Sequence, residues 1–507
     1  MSRPDQRPKR LKVGTRLTVT VEALDASGLG RGRVDLASGS APVLVEDGLP
    51  GEVGEAVVLY AGRTPVLRLL RRRRTAAERR AQPLCPRWTP RSPCRLMHLC
   101  RTAQLEFKRA RVRAAFAAHG IEVEVAPVEA PSPPLGWRAS ATFIVARHKG
   151  TVVLGAYRRR THVVQPMEAC PLHEGPITRA ALALRTILEA QSLPLANPQP
   201  PVASDDACGG PGEPAALLEE ARGGPPGSAA SGPAADGLKY VAMRASGAGR
   251  VAVALLSPSG RLPGADRVAE ALRAAVPAVA SVSLGHSGPG DVIFGDGALV
   301  PLAGEVAIEE VLGGHRFLLT PRLFFQVNRL AAEYLHGRAK AAAGGGCILE
   351  LYAGVGALTL RLAGEAQRVV AVERVGPAVR AARQAAAEAG LAERVHFIEA
   401  DAAALFSGDA RRLQEALGGR GSAGAAVLNP PRKGCAPAVL DGLARLGVPR
   451  IVYVSCNPDT LARDVARLCA AGYGCVRAEP VDLFPESEHV EVLAVLERTG
   501  SAASGPA

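Results

Sequence analysis

Three turns in the last third of the chain carry residue types that could do chemistry together. Ile451-Val-Tyr-Val454 is a run of strand formers that delivers a thiol, Cys456, onto a turn opened by Asn457-Pro458. Some twenty residues upstream, Asn429-Pro-Pro-Arg-Lys-Gly434 closes another apolar run, Ala425–Leu428. Earlier still, Leu349–Leu362 reads as a strand, a glycine turn and a helix, with Gly354 and Gly356 at the turn. Glycines there let backbone approach a ligand closely. A thiolate is a strong nucleophile toward polarised double bonds when cationic neighbours lower its pKa. Cys347, Cys435, Cys469 and Cys475 read as small buried hydrophobes instead.

A glycine turn alone fits many nucleotide binders. Val369–Glu373 sharpens it, because that strand ends in a carboxylate suited to a ribose diol. Asp401, after Val395–Ile398, could reach an adenine edge. A dinucleotide reading is disfavoured, since Thr359 occupies the place of a third glycine. A nucleoside-bearing methyl donor beside a thiol suits methylation of a poorly nucleophilic carbon. Uracil C5 is such a carbon: thiolate addition to C6 makes C5 nucleophilic, and a base must later remove the C5 proton. Glu491 is the candidate base, with Glu488 as a local rival.

The elements that must position these residues follow from periodicity. Residues 11–70 alternate in short runs broken by glycines and predict a small β-barrel, a common nucleic-acid surface. Arg71–Arg74, then Arg79 and Arg80, form either a solvated linker or an RNA-facing stripe. A central α+β region spans 80–320, with a helix over Ala103–Ala118 and strands at Ala141–Val145 and Val152–Tyr157. Asp205–Asp236 is rich in Gly, Pro, Ala and Ser and predicts a disordered insertion containing Cys208. From 321 to 498, regular strand–helix alternation predicts a doubly wound α/β sheet with its ligand at the strands' carboxyl ends.

Composition narrows the partners. The 507 residues imply two to four domains. Lys and Arg total 61 against 48 Asp and Glu, a net charge of +13 that favours a polyanion such as RNA. The basic start, Met1–Arg10, lacks the apolar core of a secretory signal, and no run is long enough to span a membrane. Ten cysteines in this length suit a reducing cytoplasm.

At these residues the chain resembles the S-adenosylmethionine-dependent RNA (uracil-C5)-methyltransferase family. The resemblance covers nearly the whole length, apart from the insertion and the tails. It implies an OB-like TRAM barrel over 9–72, carried by the Gly28–Gly32 turn and Leu49-Pro-Gly-Glu52. It implies a C-terminal class I, Rossmann-like methyltransferase domain entered through Phe324-Phe325-Gln326-Val327-Asn328. By the same matching, Gln326, Tyr352 and Glu373 contact the donor, Cys456 is the nucleophile and Glu491 the base; Gly354, Asp401 and Asn429 complete the donor set.

The sequence departs from the family where Asn429 replaces the usual Asp and where Ala357 replaces a frequent Asn. Some members hold a [4Fe-4S] cluster. Cys85, Cys94 and Cys170 match three of its four ligand positions, Arg91 stands at the remaining one, the second in chain order, and Cys100 is a possible substitute. The implied target is a uridine in RNA, ribosomal rather than transfer RNA, modified by a monomer. An exocyclic-amine methyltransferase is the runner-up, though Arg432 stands where such enzymes place a stacking aromatic ring. A catalytically decayed RNA-binding protein is the third reading.

Overall fold

The computed structural model describes residues 11–37, 39–158, 161–196, 236–408, 410–418 and 423–499. Except for Asp236, the expected insertion Asp205–Asp236 with Cys208 lies outside the described residues, as does Met1–Arg10.

Five strands, β1 (Arg16–Leu24), β2 (Gly30–Leu36), β3 (Gly39–Val45), β4 (Val53–Tyr60) and β5 (Val66–Arg74), close into a barrel of order β1-β2-β3-β5-β4. Alternate residues face inward, so Val19, Val21, Val34, Val43, Val45, Val58 and Leu67 fill the interior. Gly32 is obligatory for this closure, since a Cβ there would lie 2.2 Å from the Thr20 carbonyl oxygen. The arginine block is neither linker nor uniform stripe. Arg71–Arg74 complete β5, and Arg72 turns to ion pairs with Asp47 and Glu52, while Arg71 and Arg73 face solvent. The sequence pattern missed this because four consecutive charges hide the period-two alternation of a strand.

The central sheet comprises β6 (Ser140–His148), β7 (Thr151–Tyr157), β8 (Val164–Pro166), β9 (Tyr240–Ala245), β10 (Val251–Ser257), β11 (Val279–His286) and β12 (Val300–Gly304). Its order is β12-β11-β10-β9-β6-β7-β8. Only the β10–β11 pair is parallel, joined through the helix Ala265–Ala275. That helix and Gly175–Gln191 bury Ile177, Leu184, Leu188, Val268 and Leu272 in one core with the sheet. A hairpin, β13 (Ile308–Leu312) and β14 (His315–Leu319), leads toward the last unit.

There, β15 (Cys347–Leu351), β16 (Arg368–Glu373), β17 (Val395–Glu399), β18 (Ala425–Leu428), β19 (Arg450–Ser455), β20 (Tyr473–Val481) and β21 (Glu491–Arg498) make a second seven-stranded sheet. The order is β17-β16-β15-β18-β19-β21-β20. The first five strands are parallel, and β21 inserts antiparallel between β19 and β20. Separate cores cover the sheet's two faces, as double winding requires. The strand β20 escaped sequence reading because it is interrupted by Gly474, charged residues and Pro480, which suit a sheet edge.

The helix Arg101–Ala117, read as part of the central region, packs instead on this C-terminal sheet. Val112, Ala115 and Phe116 enter the core that also holds Leu428, Tyr453 and Leu461. The chain after it runs beside β20, with Val125 bridging Ala478 and Glu129 bridging Val481. Among the described residues, no helix is long and apolar enough to cross a membrane.

Candidate active site

The carboxyl ends of five parallel strands assemble the site. The turn after β15 begins at Tyr352, a non-glycine residue at φ 66°, and continues through Gly354 at φ 58°. Left-handed backbone at a tyrosine costs about 1–3 kcal/mol and is held only by its surroundings. Here the phenol hydrogen-bonds Cys435, and burial drives its pKa far up. Gly354 faces open space where a Cβ would project, and its N–H donates to Glu373 Oε2 at 3.0 Å. Glu373 Oε1 also accepts from Val375 N at 2.8 Å, so the carboxylate at the end of β16 is locked across the glycine turn.

Beneath this turn lies Glu350, only 1 % exposed, whose Oε2 has no hydrogen-bond partner of good geometry. Burial pushes its pKa up to about 8, with Thr359 opposing and Glu373 adding to the rise. Glu350 lies within the Leu349–Leu362 segment but has no role in the sequence reading; a carboxylate one residue before the strand ends was the available signal. Asp401 caps the helix Ala402–Ser407 by accepting from Ala403 N and Ala404 N, and is exposed at the rim. Asn429 stands at the end of β18, its N–H on the Leu351 carbonyl at 3.4 Å. Gln326 lies in the loop before the helix Arg329–Ala343, between buried Phe325 and Val327, whose carbonyl accepts from Ala139 N at 2.7 Å. These residues fit a nucleoside-bearing donor: an open glycine turn, a fixed carboxylate beside it and an unsatisfied buried acid below.

Cys456 follows β19 and precedes the helix Pro458–Ala470, whose N-cap Asn457 accepts from Asp459 N. Ser455 pairs with Val492 in the antiparallel ladder, which sets Cys456 beside Glu491 at the start of β21. The Asn457 amide and the Thr460 hydroxyl both donate to the Arg432 carbonyl at 3.1 Å, tying the Asn429 turn to the Cys456 turn. The Arg432 guanidinium then reaches the Cys456 sulfur.

Electrostatics here differs from the sequence expectation of a thiol made acidic by cations. Burial raises the Cys456 pKa, Glu491 raises it further, and Arg432 only partly offsets them. Glu491 is 3 % exposed, and burial lifts its pKa to about 8 against the pull of Arg432. Two groups of the same charge type thus share one guanidinium, and each favours the neutral form of the other. Arg432, which sequence analysis used only to reject another chemistry, is the cation linking them. The rival Glu488 sits close to the barrel, its Cβ 3.8 Å from where a Cβ on Gly28 would be.

Cys85, Cys94 and Cys170 do gather, around Trp88, Met97, Trp137 and Phe484. Burial, then the neighbouring thiols Cys170 and Cys85, raises the Cys94 pKa well above its usual value. Arg91, at the remaining ligand position, donates to Glu46 Oε1 of the barrel at 2.8 Å. Cys100 is not in this pocket; it precedes the helix Arg101–Ala117, with its N–H on the Glu78 carbonyl. Among the described residues, no three Cys, His, Asp or Glu side chains are arranged to hold a metal. Three thiols and an ion-paired arginine do not fit a [4Fe-4S] cluster, which takes four thiolates.

Fold and site together define a nucleotide-binding α/β transferase with a thiol at the carboxyl edge of its sheet. Comparison with known proteins is consistent with that class. A family described as tRNA (uracil-5-)-methyltransferase matches residues 325–499. An uncharacterized RNA methyltransferase of Gloeobacter violaceus is 31% identical over 97% of this chain and 98% of its own length. Another, from Geobacter sulfurreducens, is 32% identical over 96% of this chain and 90% of its own. Among solved structures, the tRNA (uracil-54, C5)-methyltransferase of Pyrococcus abyssi, in complex with S-adenosyl-L-homocysteine, superposes with a TM-score of 0.67. It is 22% identical and covers 95% of this chain and all of that one. The chain belongs to the family of S-adenosylmethionine-dependent RNA (uracil-C5)-methyltransferases.

Proposed function

We propose that the protein methylates C5 of a uridine in ribosomal RNA through a covalent bond between Cys456 and C6. The observation that carries this reading is the register of β19 and β21, which sets a thiol and a buried carboxyl side by side under one guanidinium. Gln326, Tyr352, Gly354, Glu373, Asp401 and Asn429 would hold the donor at the strand ends. When bound, S-adenosylmethionine supplies an electrophilic methyl group on a sulfonium.

The residues of the chain then divide the work. Cys456 loses its proton to solvent, Arg432 stabilises the resulting thiolate, and its sulfur bonds to C6 while the C5–C6 π electrons move onto the O4 enolate. C5 takes the methyl group and the donor departs as a thioether. Glu491, in its ionised form, accepts the C5 proton, the C5–C6 double bond re-forms, and the thiolate leaves. The register that sets Glu491 beside Cys456 supports Glu491 as the base. The barrel, which we assign as a TRAM domain, would hold RNA beside this site, and the site is that of a cytoplasmic enzyme acting as a monomer.

Ribosomal RNA is favoured by the barrel and by the surviving cysteines. Transfer RNA is the second reading, favoured by the family description and by the named substrate of the Pyrococcus protein. Cys456→Ala should abolish turnover and the denaturant-stable adduct with 5-fluorouracil RNA, while donor binding persists. Retention of a tenth of wild-type turnover would exclude the thiol mechanism. Mapping 5-methyluridine in both RNA pools of a deletion strain separates the two targets.

A further inference from the structure

The helix Arg101–Ala117 presents a polar face where a packed helix ordinarily presents an apolar one. Arg101, Gln104, Lys108 and Arg111 recur at three- and four-residue spacing, so they share one side of the helix. All four meet the segment 482–490, which joins β20 to β21 and ends at Glu491.

The contacts are specific. Lys108, fully buried, donates from Nζ to Asp482 Oδ1 and to the Phe484 carbonyl at 2.9 Å. Arg101 pairs with the other Asp482 oxygen. Gln104 Nε2 donates to Glu486 Oε2 at 3.1 Å, and to the Leu96 and Leu99 carbonyls. Arg80 also pairs with Glu486, which is itself fully buried at φ 68°. Arg111 donates to the Glu488 carbonyl at 2.9 Å. From the opposite side, Arg432 Nη2 lies 3.4 Å from His489 Nε2.

Buried ion pairs of this kind stabilise a fold little compared with apolar side chains of similar volume, because both charges lose water. What they do impose is geometry. A segment with a left-handed glutamate, its carbonyls at 484 and 488 and its carboxylates at 482 and 486 all engaged, has one allowed path. The end of that path is the residue beside Cys456.

We propose that Lys108 and Asp482, with Gln104, Glu486 and Arg111, are positioning residues that hold Glu491 at the distance proton removal needs. The strut reaches the catalytic pair from a helix far upstream in sequence and outside the donor-binding motifs. It rests on the reading of Glu491 as the base.

Lys108→Met keeps the length of the side chain and removes its charge. Methyl transfer precedes deprotonation, so the variant should stall late. Per folded enzyme, kcat should fall at least about tenfold, with KM for RNA and donor changed less than about twofold. A denaturant-resistant adduct carrying the donor's labelled methyl group should accumulate on ordinary uridine RNA. The pH at which kcat levels off should move from its wild-type value. Arg111→Met, which removes the contact to the Glu488 carbonyl and an ion pair with the largely exposed Asp459, should show the same signature at about threefold, and Lys108→Arg should restore part of the loss.

Unchanged kcat and pH profile per folded Lys108→Met, with only a lower melting temperature, would overturn the proposal. If Lys108→Met does not fold, unchanged kinetics of Arg111→Met overturn it instead. Glu491→Gln separates the two claims. Normal turnover of that variant would remove the base assignment itself, whereas a trapped adduct there beside unaltered Lys108→Met kinetics would remove only the strut.

Discussion

Replacing Glu491 by glutamine should change stability in a pH-dependent way that reports the burial of this carboxyl. Its pKa rises from 4.5 to about 8, chiefly because burial penalises the charged form. The folded state therefore keeps a proton that the unfolded chain releases above pH 4.5. Between about pH 4.5 and 8 the unfolded state binds fewer protons, so the wild type loses stability as pH rises, and the loss levels off above 8. At about 1.36 kcal/mol per pH unit over roughly 3.5 units, the ceiling is about 5 kcal/mol. Glutamine keeps the shape without the charge but leaves a buried amide to satisfy, which costs about 1–3 kcal/mol. The variant should thus match or trail the wild type at pH 4 and exceed it by about 2 kcal/mol at pH 9. Urea unfolding at pH 4, 7 and 9, comparing midpoints at equal slope, measures this. A stability difference that does not grow with pH would refute the claim of a carboxyl held neutral by burial. The same variant should also trap the methylated adduct, since the amide cannot take the C5 proton.

Other outcomes follow from the site and the barrel. Glu373→Ala should weaken donor binding by about 1.5–3 kcal/mol in calorimetry, because it removes the proposed ligand contact and the acceptor that locks Gly354; unchanged affinity would overturn the ribose assignment. The paired substitution Arg71→Ala/Arg73→Ala should reduce the salt dependence of RNA affinity by about one to two ion equivalents, and leave stability nearly unchanged, since both side chains face solvent. Arg72→Ala should instead destabilise the barrel without a comparable change in salt slope, because its charge is spent on Asp47 and Glu52.

The residues proposed to carry chemistry could be picked out in the sequence because each sits where a local pattern ends. Glu373, Asn429 and Cys456 close runs of strand formers, and a parallel sheet brings such ends to one edge whatever lies between. The alternation of the five parallel strands with helices was readable for the same reason: period and punctuation are local properties. Four decisions were not local. The edge strand Tyr473–Val481 lacks alternation, and only its neighbours β21 and residues 125–129 make it a strand. The arginines 71–74 look alike in sequence, yet the barrel's closure sends Arg72 to buried carboxylates and its neighbours outward. Residue types alone leave Glu491 and Glu488 as rivals, and the β19–β21 register sets Glu491 beside the thiol. Finally, Lys108 and Asp482 are hundreds of residues apart, so no pattern could pair them. The sequence by itself determined the local elements and the chemistry at their ends. Tertiary structure decided which charges are buried and which groups face each other, because burial and partner choice belong to the packed chain and not to any segment of it.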